Sequence, residues 1–475
     1  MNHDTLLSRR QALKSSACGF AFLAAAAMAQ PQARGAVVNP LLPKSPHFPA
    51  RAKRVIFLFM QGGPSHVDTF DYKPILARED GKMVPFDDAR VLAKTKQIKP
   101  QRVFKSPWKF RQYGQSGQHV SELFPCIARH VDDLCFLQGM HTDGVAHGPA
   151  TLFLHTGSIN LVRPSMGSWV LYGLGSENEN LPGFISLQPS MGNGGPRNFG
   201  NAFLPAIYQG TAVGRAGGTA ESTKLDNLEN ALLTQSEQLA QFELLRALHH
   251  EQLGSRTGDQ ELEAVVNSYE LAWRMQHHAP DVMDLRHEPE HIRRMYGIGE
   301  NGTDNFGRLC LMARRLAEAG VRFIQVNYGD NTNNPRWDQH SDLPKHAEHA
   351  FNTDKPVAGL LADLKQRGLL EETLVWWGGE FGRTPYAQDN GTGRDHNPDG
   401  FTIFCAGGGT KAGFSYGATD EFGHHAVTDK VHLHDWHATL LHLLGLDHER
   451  LTFEHDGRPF RLTDVHGAVK SEIFS

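Results

Sequence analysis

The chain has 475 residues, of which 40% are hydrophobic, 21% charged and 9% aromatic. That is enough apolar material for a large buried core, and it excludes a disordered, collagenous or small disulfide-stapled protein. Lys plus Arg number 47 against 52 Asp plus Glu, a formal net charge of -5, with no basic stripe to track a nucleic acid. Histidine stands out, with 27 residues against 9 Tyr and 7 Trp. It is the commonest metal ligand and a ready acid or base, but abundance alone decides nothing.

At the N-terminus, Ser8-Arg9-Arg10-Gln11-Ala12-Leu13-Lys14 precedes a modestly apolar run from Ala17 to Ala29. The run reaches Ala27-Met28-Ala29, an A-x-A-type cleavage site, before Gln30. The pattern is similar to a twin-arginine (Tat) export signal, which carries folded proteins across the membrane. An uncleaved anchor is the competing reading, but the run is shorter than the ~20 residues a spanning helix needs. Residues 1–29 are therefore expected to be an export signal read by the Tat translocation machinery. The mature protein is expected to be periplasmic or secreted and not membrane-spanning. Cys18 would leave with the signal. Cys126, Cys135, Cys310 and Cys405 remain, and their spacing fits no zinc motif. An oxidising compartment permits three pairings of four cysteines. The apolar surroundings of Cys310 and Cys405 instead suggest buried free thiols.

After a Pro-rich lead (residues 30–53), continuous apolar runs predict strands buried on both faces. They lie at Arg54 to Met60, Leu134 to Leu137, Phe184 to Leu187, Val321 to Val326, Thr373 to Trp377 and Phe401 to Ala406. Helical patterns fall at Phe306 to Ala319, His346 to Arg367 and His434 to Leu444. The alternation predicts an α/β domain built on a parallel sheet, in two parts, 54–225 and 301–475. Residues 226–300 are instead rich in Leu, Gln and Glu. They predict a helical insertion, with helices over Leu228 to Leu253, Glu261 to His277 and Glu288 to Tyr296.

In open α/β sheets ligands bind beyond the carboxyl ends of the strands. The residues that follow each run are therefore the informative ones. They are Gln61 to Asp68, then His141, Asp143, His147 and Thr151, then Asn327, Asp330 and Trp337-Asp338-Gln339-His340. Gly379-Glu380-Phe381-Gly382-Arg383-Thr384 follows the fifth run, and Gly393-Arg394-Asp395-His396 precedes the last. Singly, each has an ordinary structural role. Together, Asp338, His340, Glu380 and His396 at successive strand ends fit a hydrolytic metal site of mixed N and O ligands. His66 and His346 stand behind these as outsiders. The C-terminal histidines (His424, His425, His432, His434, His437, His442, His448 and His455) are denser. His434 and His437 have i,i+3 spacing, but on a capped apolar helix start they read as caps and packing contacts.

Gly62-Gly63-Pro64-Ser65-His66-Val67-Asp68-Thr69-Phe70-Asp71, Trp337-Asp338-Gln339-His340, Gly379-Glu380-Phe381-Gly382-Arg383-Thr384-Pro385 and Gly393-Arg394-Asp395-His396 resemble domain-of-unknown-function family 1501. The tail from His434 to Asp464 resembles its planctomycete-type members. The resemblance implies an alkaline-phosphatase-like three-layer α/β sandwich, with a mostly parallel sheet, in a superfamily shared with sulfatases. It further implies an exported metal-dependent hydrolase of sulfate or phosphate esters, acting on a small-molecule or polysaccharide substrate. On the sulfatase register, His147 in His147-Gly148-Pro149-Ala150-Thr151 takes the nucleophile position at a helix start. Thr151 is the fallback hydroxyl, and Arg383 would neutralise the anionic group. Two departures stand out: Gln61 replaces a metal-binding aspartate, and Glu380-Phe381 replaces an Asp-His or Asp-Asn pair. One divalent ion is therefore expected rather than two, with Zn, Mn and Ca all open. The rival expectation is a non-catalytic exported binding or assembly protein on a degenerate scaffold of the same fold.

Overall fold

The computed structural model describes residues 39–88, 91–92, 95–224, 233–255, 260–388 and 391–475. The export signal expected over residues 1–29 lies outside them, as does the start of the helix expected from Leu228. In chain order the strands used below are β1 (Arg54–Met60), β2 (Leu134–His141), β3 (Phe184–Leu187), β4 (Thr211–Val213), β5 (Phe323–Tyr328) and β6 (Thr373–Gly378). They continue as β7 (Gly382–Ala387), β8 (Arg394–Asn397), β9 (Phe401–Ala406), β10 (Phe414–Tyr416) and β11 (Val431–His432). The helices are α1 (His147–Thr156), α2 (Met166–Leu174), α3 (Gln235–Ser255), α4 (Gln260–Met283), α5 (Asp304–Glu318), α6 (Lys345–Gln366) and α7 (Leu433–Leu443).

Nine strands form one sheet in the order β10-β2-β9-β6-β1-β5-β3-β4, with β11 also paired to β2. β1 pairs in parallel with β6 and β5, and β3 continues in parallel to β4. Only β9 runs the other way, antiparallel to both β6 and β2. Every residue of β1, β5, β6 and β9 is buried, as runs without polar alternation require when both faces are covered. The covering is visible at two neighbouring tryptophans, whose side chains leave the strand on opposite faces. Trp376 stacks on Phe57 at 3.7 Å and meets Trp436 of α7. Trp377 stacks on Phe404 at 5.1 Å and takes the edge of Phe70. The α/β class with a mostly parallel central sheet is the one expected.

The chain divides into two compact units, the larger comprising 41–226 with 274–475 and the smaller 1–40 with 227–273. The sheet belongs to the larger unit. The smaller holds α3 and the first part of α4, where Phe242 stacks on Trp273 with centroids 5.7 Å apart. Short helices Leu285–His287 and Glu290–Met295 follow α4. Among the described residues no helix is long and apolar enough to cross a membrane. Cys126, Cys135, Cys310 and Cys405 are all free thiols. Cys135 and Cys405 sit opposite each other on β2 and β9.

This topology makes one polar rim. β1, β2, β5 and β6 are parallel and end at the same edge, and β9, being reversed, begins there. The segments after four strands and the β7–β8 hairpin before β9 therefore converge.

Candidate metal centre

The convergence begins with backbone. Gly62, at φ +113°, leaves β1 where the 337–338 backbone passes. A Cβ there would lie 2.7 Å from the Asp338 amide nitrogen and 2.8 Å from that of Trp337. Glycine is what allows this approach. Gln61, in the position where the resemblance expects a ligand aspartate, is buried, and its Oε1 accepts the Asp330 N–H at 3.2 Å. It ties the end of β1 to the loop after β5.

Ligand atoms of His147, Asp338, His340 and His396 all lie within 4.8 Å of one another. Asp338 Oδ1 is 2.8 Å from His340 Nε2, 3.1 Å from His147 Nε2 and 3.3 Å from His396 Nε2. The Nε2 atoms of His340 and His396 are 2.9 Å apart. Ligands about 2.0–2.1 Å from a tetrahedral ion stand about 3.3 Å from one another, so these spacings match a shared coordination sphere.

The far side of each ring is also held. His147 Nδ1 faces the Glu380 carboxylate at 2.7 Å, and His396 Nδ1 faces the Val145 carbonyl at 3.0 Å. His340 Nδ1 faces Gln388 Oε1, with Asp395 3.6 Å away. Each partner is an acceptor, so each Nδ1 carries the hydrogen and each Nε2 presents a lone pair. With neutral rings, three lone pairs thus meet a carboxylate. The second oxygen of Asp338 is buried without any partner. This donor set fits a divalent cation. Without one, protons must serve: burial alone would lower the His147 pKa, but the Asp338 and Glu380 carboxylates outweigh it and raise it. Burial likewise opposes ionisation of Asp338, yet Arg383 and the three imidazoles hold its carboxyl far below the usual range. Burial, followed by Arg383 and His147, pushes His396 down to about 3 against the pull of Asp338, leaving it neutral.

Glu380 is fully buried and stands behind His147 rather than in the donor group. Its two oxygens accept the Gly62 N–H at 3.0 and 3.1 Å. Arg383, also fully buried, gives Nη2–H to Asp338 Oδ1 at 2.8 Å and to the Gly62 carbonyl, and Nε–H to the Gly63 carbonyl at 3.0 Å. Phe381 stacks on His396 with centroids 4.4 Å apart. Thr151 lies one turn into α1 with its hydroxyl buried and unpartnered. Of the outsiders, His346 Nε2 accepts the Ser65 N–H at 3.1 Å, and His66 Nε2 bonds the Gly423 carbonyl at 2.7 Å. His147 opens α1 behind Ala146, which supplies no side-chain cap. The His147 and Gly148 N–H groups open that helix, and Pro149 has none. Of the four donors only His340 is appreciably exposed, at 24% of its side chain, which marks the solvent side.

Several supports were not foreseen from the sequence: Gln388, the Val145 carbonyl, the Gly62 amide and the β7–β8 hairpin itself. The only sequence signal for them was proximity to Gly-rich segments at strand ends.

The family model described as "Protein of unknown function (DUF1501)" matches residues 52–474, and the chain belongs to that family. No curated protein matches it significantly. Similar solved structures include a lipoteichoic acid synthase from Listeria monocytogenes, at 7% identity and TM-score 0.37, covering 93% of this chain and 80% of that one. A protein in the alkaline phosphatase superfamily from Vibrio parahaemolyticus is similar at 8% identity and TM-score 0.37, covering 89% and 73%. A sulfatase from Pseudoalteromonas sp. is similar at 12% identity and TM-score 0.34, covering 93% and 73%.

Proposed function

We propose that the protein is an exported metal-dependent hydrolase of sulfate or phosphate esters, with a small-molecule or polysaccharide ester as substrate. One observation carries the reading: Nε2 of His147, His340 and His396 converge on the Asp338 carboxylate while each Nδ1 faces an acceptor. His147, Asp338, His340 and His396 would hold the ion. Their nitrogen-rich set suits Zn or Mn better than Ca, which takes six to eight oxygen ligands. A divalent ion there supplies Lewis acidity toward the ester oxyanion.

The chain's own groups do the rest. Glu380 fixes the His147 tautomer, and Arg383 anchors Asp338. The His147 and Gly148 amides that open α1 would hold the anionic oxygens of the ester. His147 has both nitrogens committed, and Thr151 is buried, so the attacking group is water entering on the His340 side. Its oxygen bonds to sulfur or phosphorus as the ester S–O or P–O bond breaks, one water proton passes to the departing alcohol oxygen, and the other leaves with the sulfate or phosphate. The twin-arginine motif supports export.

A second reading has its own observation. Four protein donors complete a tetrahedral zinc shell, which leaves no place for substrate and makes the site structural. Elemental analysis of the natively exported protein, with assays on aryl sulfates and aryl phosphates, separates the two. Stoichiometric metal with turnover that His396→Gln abolishes supports the hydrolase. Stoichiometric metal without turnover supports the closed site, and absence of metal overturns both.

A further inference from the structure

A second group of imidazoles and carboxylates lies outside the rim site. Asp87, just after the strand Met83–Phe86, brings its Oδ1 to 2.7 Å from His425 Nε2 and 3.6 Å from His424 Nδ1. One ligand atom from each of the three lies within 4.8 Å of the others. The two histidines are presented by a turn that is held from several sides. The Asp420 carboxylate accepts the N–H groups of Phe422, His424 and His425 at 2.9–3.0 Å. Asn397 donates to the carbonyls of Gly423 and His424 at 3.3 and 2.9 Å. The His424 ring is buried between Phe86, at 5.2 Å, and Tyr386, at 5.6 Å. These contacts fix the turn and the His424 ring in place.

Asp87 and His425 keep 46% and 34% of their side chains exposed, leaving an entry path.

We propose that Asp87, His424 and His425 form a second divalent-cation site of the zinc class, with water completing the shell. The ion would clip together two segments distant in sequence: Met83–Phe86 with Asp87 and the 420–425 turn. It would brace the hairpin that carries Arg383 and His396 without taking part in the rim chemistry. The inference does not depend on the rim group being catalytic.

The test is zinc titration of the chelator-stripped full chain in the presence of a competing chelator. Wild type should take up two ions. Asp87→Asn and His425→Gln should each lose one, through a fall of at least about 100-fold in the affinity of one site, since supporting-shell changes alone cost 10–100-fold. Asp87 is half-exposed and the Asn change is isosteric, so that variant folds even if His425→Gln does not. His396→Gln should lose the other ion. Unchanged uptake in Asp87→Asn overturns the second site. Unchanged uptake in His396→Gln, with a loss in Asp87→Asn, instead overturns the rim site and leaves this one standing.

Discussion

Two histidine populations in this molecule are built in opposite senses. At the rim, Nδ1 of His147, His340 and His396 is committed to Glu380, Gln388 and the Val145 carbonyl, and the Nε2 atoms converge. On α7 it is Nε2 that is committed. His434 Nε2 bonds the Gly157 carbonyl at 3.0 Å and His437 Nε2 bonds the Leu154 carbonyl at 2.8 Å. Those carbonyls lie at the end of α1, where a helix leaves acceptors without partners, so the α7 histidines join two helices. Their i,i+3 spacing carries no information about ligation. The partner of the other ring nitrogen does.

This contrast can be broken by mutation, beginning with the largest effect. His396→Gln should abolish retention of the rim ion and all turnover, as read by elemental analysis and an ester assay. His437→Gln should leave both intact. Arg383→Met strands the buried Asp338 carboxylate, and loss of one partner of a buried ion pair costs about 3–5 kcal/mol. Urea unfolding should show that loss in metal-free protein and a smaller one in loaded protein, because the cation replaces the guanidinium charge. Glu380→Gln weakens the hold on His147 and should cost about 10–100-fold in metal affinity. Its counterpart on α7, His437→Gln, should cost only about 1–3 kcal/mol of stability, from one buried carbonyl left unpaired. An equal effect of the two on metal affinity would erase the distinction.

The pH dependence has a definite sign. The His147 pKa is raised in the folded, metal-free protein. Its charged form therefore stabilises that state fully below the unfolded pKa of about 6.5, and the contribution is lost as pH rises through the higher folded value. The ion competes with this proton, so metal affinity should rise over the same window. The gap in melting temperature between loaded and metal-free protein should widen from about pH 6 to about pH 8. A gap that stays constant would remove His147 from the ligand set.

Much of the sheet was legible because its strands are buried on both faces. β1, β3 and β9 have the expected bounds. β5 begins two residues later than the run at Val321, whose amide instead closes the preceding helix on the Leu316 carbonyl. The reversed direction of β9 was not legible, since it depends on pairing with β2 and β6 rather than on local pattern. The β7–β8 hairpin was hidden for a related reason: Gly382–Ala387 is wholly buried yet contains Arg and Pro, so no alternation announces it. Strand-end position singles out Asp338, His340 and His396, whose ligand atoms lie together. The division of labour between His147 and Glu380 could not be read this way. It depends on the Gly62 amide, 318 residues before Glu380, turning that carboxylate toward Nδ1 of His147.

The most direct test of the central claim is anomalous diffraction from crystals of the full chain loaded with Zn or Mn and measured at the metal's absorption edge. The account predicts a peak bounded by Nε2 of His147, His340 and His396 and the Asp338 carboxylate, with Glu380 hydrogen-bonded behind His147. Full loading with no peak at that point would contradict it.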